Sequence, residues 1–355
     1  MTESANKFLF AIKSGWNSVK AKFYGNNFLL LITVVLFIIM YTIEMFVFKS
    51  INYDKLQHFL DMLNSNAGLI VIASGMTMVL IIGGIDISVG SQVAMYCMML
   101  AVMMERQNIN FYVAITIVFI TGIVFGFVQG WLISYLKLQP FIVTLAGMFF
   151  ARGMTAVITA DTISIRNADF AAIANKKLII PFGSYINKKG MTLEPFIHPN
   201  VVLAIAGLIV IYILLSRTRF GRNVYAIGGG EQSSMLMGLN VRLTKLIVYT
   251  LNGLLVAFGA FLFCLNSSAG NVEQARGFEM NAVAAAVIGG TPLTGGVGNV
   301  IGSFAGVMIQ ETINSFVRAM SMSSWWAMIF IAALLALFII LQSVFAAMRK
   351  KARKG

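Results

Sequence analysis

The chain has 355 residues, 59% hydrophobic and only 11% charged, with a net charge of +13. A soluble domain carries about 25% charged residues, so this composition excludes an ordinary soluble globule. The basic excess lies at the ends of apolar blocks and in one middle cluster, the placement of cytoplasmic segments in a chain embedded in membrane lipid, which argues against a nucleic-acid or anionic-lipid patch.

The apolar residues come in long blocks: no charge occurs over 62–85, 87–104, 107–136, 246–272, 280–310 or 319–348. A helix of about 20 apolar residues crosses a bilayer core of about 30 Å, and several blocks reach that length. Strands of a membrane barrel alternate in hydropathy, and these runs are continuous. Lipid offers no partner to an open backbone, so the expected fold is an all-α, polytopic membrane protein.

In chain order, Lys7, Lys13, Lys20 and Lys22 mark residues 1–27 as a basic segment ahead of the first span. No short apolar stretch with a small-residue cleavage site is visible, so 28–48 is predicted to be a retained helix and not a signal peptide. Ten crossings are predicted: 28–48, 67–84, 88–104, 110–136, 140–160, 200–216, 246–266, 279–292, 297–317 and 325–347. The middle cluster 217–245, with Arg217, Arg219, Arg222, Arg242 and Lys245, and the basic tail 348–355 join 1–27 on the cytoplasmic side by the positive-inside rule. Both termini inside require an even number of crossings. Loops 49–66 and 161–199 then fall outside. Pro181 and Gly183, then Pro195 and Pro199, mark the second as an ordered excursion. The whole chain, 1–355, reads as one transmembrane domain.

Two crossings contain breaks. The charge-free run 280–310 would be about 46 Å long as one helix. It holds Gly289-Gly-Thr-Pro-Leu-Thr-Gly-Gly-Val-Gly298, with Gly289, Gly290, Gly295 and Gly296 in pairs. Glycine costs about 1 kcal/mol and proline about 3 kcal/mol inside a helix, so the run must break. The earlier Gly83-Gly-Ile-Asp-Ile-Ser-Val-Gly90 has the same outline, with Gly83, Gly84 and Gly90 as its break glycines. Glycine-interrupted segments in corresponding halves of a transporter point to a site between them.

Asp86 is the one charge between Asp61 and Glu105, and a carboxylate at membrane depth faces a cavity or a partner. It reads either as a substrate acceptor or, with Ser88, as a cap on the next helix. Arg152 either pairs inside the bundle or snorkels outward. Glu279 and Asn281 open the glycine-broken span and either line an outer mouth or cap that helix. Thr291 and Thr294 offer hydroxyls within the break. Trp131, Trp325 and Trp326 read chiefly as interfacial anchors, and Cys97 and Cys264 as core residues. The segment Arg217-Thr-Arg-Phe-Gly-Arg-Asn-Val-Tyr-Ala-Ile-Gly-Gly-Gly230 ends in a glycine run expected to stop any structure before it. A short helix from Glu231 through Met237 then exposes Met235, Leu236 and Met237 to a groove on a partner, or lies on the membrane surface. No phosphate-loop motif, metal cluster or nucleophile–base pair is visible, so no catalytic residue and no cofactor on this chain is expected.

Gly83-Gly-Ile-Asp-Ile-Ser-Val-Gly-Ser91, Thr144-Leu-Ala-Gly-Met-Phe-Phe-Ala-Arg-Gly153, Arg219-Phe-Gly-Arg through Gly238-Leu-Asn-Val, and Val287-Ile-Gly-Gly-Thr291 with Gly295-Gly296 resemble the permeases of bacterial ABC sugar importers. That family takes up ribose, galactose, xylose and galactofuranose, and the similarity covers about residues 60–345. The Thr144–Gly153 stretch and Ser323-Ser-Trp-Trp326 look most like the galactofuranose branch. The resemblance implies a subunit of the bacterial inner membrane that pairs with a second permease, the same chain or a similar one. It implies a periplasmic or lipid-anchored sugar-binding protein on one side. On the other it implies an ABC ATPase that holds ATP and Mg. Family coupling elements then map to Glu231, Gln232, Ser233, Met235, Leu236, Met237, Gly238, Leu239 and Asn240. Where the family usually has an acidic residue, this chain has Asn281. A nucleoside or other small polar solute as cargo, or an ion-coupled secondary carrier with Asp86 as its coupling group, are the competing expectations.

Overall fold

The structure is a computed structural model that describes residues 28–49, 53, 55–186 and 192–352. The basic segment 1–27, Asp54 and the end of the basic tail, 353–355, lie outside the described residues. The chain is a helical bundle. In order come α1 (Phe28–Val47), α2 (Leu56–Ile81), α3 (Val89–Glu105), α4 (Phe111–Ser134) and α5 (Pro140–Ile158). An excursion of short elements follows: β1 (Ile163–Ser164), α6 (Ala168–Ala174), β2 (Leu178–Ile179), β3 (Tyr185–Ile186), β4 (Thr192–Leu193) and β5 (Phe196–Ile197). Then come α7 (Pro199–Arg217), α8 (Arg219–Gly229), α9 (Glu231–Leu236), α10 (Val241–Ser267), β6 (Ala269–Gly270), α11 (Phe278–Ile288), α12 (Val300–Ala319) and α13 (Ser324–Ala352).

Each predicted crossing corresponds to a helix, but not all to a full span. Among the described residues, eight helices are long and apolar enough to cross a membrane, while α3 and α11 are shorter. With 11 residues, α11 is about 16 Å long and reaches only part-way through the core, so the crossing predicted at 279–292 is too long. It stops because Gly289 leaves the helix and Gly290 takes φ +94°. The carbonyls this frees are not left bare. Thr33 Oγ1 donates to the Ile288 carbonyl at 2.7 Å and Gln342 Nε2 to that of Val287 at 2.8 Å. Side chains from neighbouring helices thus satisfy a helix end inside the apolar zone.

Helix α2 starts at Leu56 and not at residue 67, so much of the expected loop 49–66 is helical. The polar residues that made it look like a loop have partners: Gln57 Oε1 accepts the Phe196 N–H at 2.8 Å, and Asn64 Oδ1 accepts that of His198 at 2.9 Å. They bind the excursion to the bundle. The described residues of the excursion are ordered, as its proline and glycine signals predict: β1 pairs with β6, β2 with β5 and β3 with β4, all antiparallel. Glu105 holds it down from α3, accepting the Arg166 and Asn167 N–H groups at 2.7 and 2.8 Å.

The interior is built on α2, α3 and α10, while α1 and α13 turn most of their apolar surface outward, as lipid-facing helices do. Helix α10 sits between α4 and α2, and glycine faces bring all three close. On α4, Gly122, Gly126 and Gly130 recur every fourth residue and meet Gly253, Ala257 and Tyr249 of α10. A Cβ on Gly68 of α2 would lie 2.6 Å from the Gly259 carbonyl of α10. Small residues at such spacing let backbones approach where lipid supplies no hydrophobic drive. Trp131, Trp325 and Trp326 stand exposed near helix ends, where amphipathic rings anchor at an interface. Cys97 and Cys264 are buried and unbridged.

Candidate functional site

The two glycine breaks meet. The Ile81 carbonyl, at the end of α2, accepts the Gly296 N–H at 2.8 Å. Gly83 has φ +76°, and Gly295 and Gly296 have φ +77° and +82°, a left-handed conformation that side chains with a Cβ rarely adopt. A Cβ on Gly295 would fall 2.8 Å from the Ile81 oxygen. The hairpin α2–α3 and the hairpin α11–α12 therefore touch tip to tip through backbone. Higher up they are joined by Thr77 and Ser303, whose hydroxyls lie 2.5 Å apart.

Helix α8 closes on the same point. Gly228 lies so near the Ile81 carbonyl that any Cβ there would overlap it, and Gly296 packs on Gly228 and Gly229. Tyr225 donates to the Gly298 carbonyl at 2.9 Å. Residues 219–229 form α8, a helix the sequence did not announce, and it ends in the glycine run as expected. Gly228 and Gly229 remain helical, and only Gly230, with φ 174°, leaves the turn. The expected short helix follows as α9, with Met237 just past its end; Met235, Leu236 and Met237 are exposed, Leu236 at 90%. Glu231 pairs with Lys245 at 2.7 Å.

Asp86 is buried between α3, α4 and α10. Its Oδ1 accepts the Ser88 N–H at 2.9 Å and the Ser88 hydroxyl at 2.5 Å, and its Oδ2 accepts Asn252 Nδ2 at 2.8 Å. Ser88 Oγ in turn accepts Gln92 at 2.7 Å and Gln129 at 3.0 Å, and Tyr96 donates to Gln92. Both carboxylate oxygens are thus used inside the protein, in a turn that leads into α3. Gln92, Gln129 and Asn252 were missed from sequence; single amides inside long apolar runs were the signal that would have found them.

The remaining candidates separate. Thr291 is buried with no partner for its hydroxyl among the described residues, whereas Thr294 is exposed. Arg152, Glu279 and Asn281 lie toward the other end, around the loop 271–277. Arg152 donates to the Val272 carbonyl and to that of Gln274 at 3.1 Å, which ties α5 to this loop. Glu279, in the first turn of α11, packs on Gly90 and leaves Oε2 buried and unpartnered. Gln310 donates to the Asn281 carbonyl at 3.0 Å, leaving the Asn281 side chain half-exposed. Gly90 therefore belongs with this group, Gly83 belongs with the junction of the two breaks, and Gly84 packs on Tyr249 of α10.

Residues 59–339 match the family model described as branched-chain amino acid transport system / permease component. The chain is 36% identical over 317 residues to the inner membrane ABC transporter permease protein YjfF of Escherichia coli, covering 89% of this chain and 92% of that one. It is 32% identical over 313 residues to the fructose import permease protein FruG of Bifidobacterium longum, covering 88% and 89%. It is 30% identical over 298 residues to the ribose import permease protein RbsC of Escherichia coli, covering 83% and 88%. No solved structure matches the chain.

Proposed function

Because the chain belongs to the family of branched-chain amino acid transport system / permease components, we propose that it is the membrane subunit of an ATP-binding-cassette importer that carries a monosaccharide. It is a transport subunit, and the ATPase that binds ATP and Mg is a separate chain. The cargo class follows its sugar-importing relatives. The observation that supports the mechanism most is the meeting of Gly228, Ile81 and Gly296, where a helix beside the docking segment touches both hairpin tips at once.

In this reading the ATPase seats α9 through Met235, Leu236 and Met237, which are exposed apolar side chains on a short helix. Movement of α9 passes to α8 through Gly230 and then to the tips of α2–α3 and α11–α12. The sugar, delivered by a binding protein, enters at the opposite end past Arg152, Glu279 and Asn281 of two permeases. Asn281 in place of the family's usual acid alters which hydroxyls are met there. Ion coupling through Asp86 requires a carboxylate open to the path, and internal donors already occupy both oxygens of Asp86.

The test is purification of the tagged chain from its native membrane, with uptake measured in vesicles. An ATPase should co-purify, uptake should need ATP, and M235D/L236D should lose the ATPase. Solute uptake by the chain alone without ATP would overturn the proposal.

A further inference from the structure

At the basic end of the bundle lies a cavity of about 770 Å³ that neither the hairpins nor α8 uses. The turn between α4 and α5, the helix α9 and the start of α10 enclose it. Lys137, Arg242 and Lys245 line it against a single carboxylate, Glu231. Glu231 is spent on Lys245, at 2.7 Å. Among the described residues, Lys137 and Arg242 have no ion-pair partner. Lys137 is held at φ +57°, a left-handed conformation uncommon outside glycine and found where surrounding structure imposes it.

The depth of the cavity identifies what meets it. Helix α4 has 24 residues, about 36 Å, enough to cross the core and bring Ser134 to the headgroup layer. Ser134 and Pro140 are both in the cavity wall. Just outside it, Leu136, Phe141 and Ile142 are exposed apolar side chains of this turn and of α5. Met235 stands in the cavity wall, while Leu236 and Met237 do not line it and remain free for a soluble partner.

We propose that this cavity binds the phosphate headgroup of an anionic phospholipid between Lys137 and Arg242, with the acyl chains along Phe141 and Ile142. Basic pockets between transmembrane helices on the cytoplasmic side hold such headgroups, each cation adding to the attraction. Because α9 forms one wall, the bound lipid braces the docking helix from the membrane side. This site stands whether or not the cargo is a sugar.

The full chain, purified in mild detergent, is titrated with dioctanoyl phosphatidylglycerol by native mass spectrometry. Dioctanoyl phosphatidylcholine and inorganic phosphate are run alongside. Phosphatidylglycerol should bind in preference to both, and K137Q/R242Q should weaken it by roughly tenfold or more. R217Q, at the end of α7 and outside the cavity, should bind as the parent does, and thermal midpoints check that each variant is folded. Equal binding of phosphatidylcholine would reduce the site to an apolar contact and overturn the proposal. Equal competition by inorganic phosphate would make it a free-anion site, again against the proposal. Unchanged lipid binding by K137Q/R242Q with loss of the co-purifying ATPase would assign the cavity to that protein instead.

Discussion

Asn252 Nδ2, on α10, donates to Asp86 Oδ2 at 2.8 Å, and no other side chain outside residues 86–88 reaches that carboxylate among the described residues. This bond links the α2–α3 break to the central helix. Asn252→Leu strips one buried carboxylate oxygen of its donor, a loss of about 1–3 kcal/mol or more for a charged group. The thermal midpoint in detergent should fall accordingly. In a double-mutant cycle with Asp86→Asn, the two changes should couple by about 0.5–3 kcal/mol. Strict additivity would mean that the two side chains do not act on one another.

Neighbouring glycines on α8 should behave in opposite ways. A methyl group on Gly228 overlaps the Ile81 carbonyl, which is backbone and cannot swing aside, whereas nothing lies within 4 Å of a Cβ on Gly229. Gly228→Ala should destabilise by about 1–3 kcal/mol through overpacking and abolish uptake. Gly229→Ala should be neutral or gain a few tenths, since alanine favours helix more than glycine by about 0.5–1 kcal/mol. Thermal midpoints and vesicle uptake on the two variants, side by side, check this.

The seam between α4 and α10 gives a similar contrast. Gly126 packs on the Tyr249 carbonyl and the Gly253 Cα, while Gly153 on α5 faces open space. Gly126→Val should lower the thermal midpoint and the yield of folded protein; Gly153→Ala should do neither. Equal effects would remove the small-residue seam as the reason for the close packing.

The Glu231–Lys245 pair is half-open to solvent, with the carboxylate 51% exposed. Exposed pairs contribute about 0–1 kcal/mol, so Glu231→Gln should barely move the thermal midpoint. M235D/L236D should leave it unmoved as well, because both side chains are exposed. What M235D/L236D should lose is the co-purifying ATPase, measured by pull-down from membranes.

The membrane class was legible because charge-free blocks have no other physical use at that length. The breaks were legible because glycine pairs and Pro292 are incompatible with an uninterrupted helix. One error has a local cause: Gln57, Asp61 and Asn64 made the start of α2 resemble a loop, but Gln57 and Asn64 are taken up by the backbone of Phe196 and His198. The glycine run did end α8, at Gly230, but no local pattern revealed that Gly228 rests on the distant Ile81 carbonyl. Nor does a pattern of hydropathy reveal that Gln129 and Asn252, far apart in the chain, converge on Ser88 and Asp86.

The Ile81 carbonyl is a shared ledge: Gly296 hangs from it and Gly228 rests against it, with no side chain between to flex or change rotamer. On the proposed coupling, a stroke arriving along α8 would meet both hairpins at one peptide, so neither would yield ahead of the other. Such a joint has no slack and gives one half of the bundle no intermediate posture of its own. The timing of opening would then rest first on three backbone atoms, with the side-chain bonds of Thr77 to Ser303 and of Tyr225 to Gly298 as secondary ties.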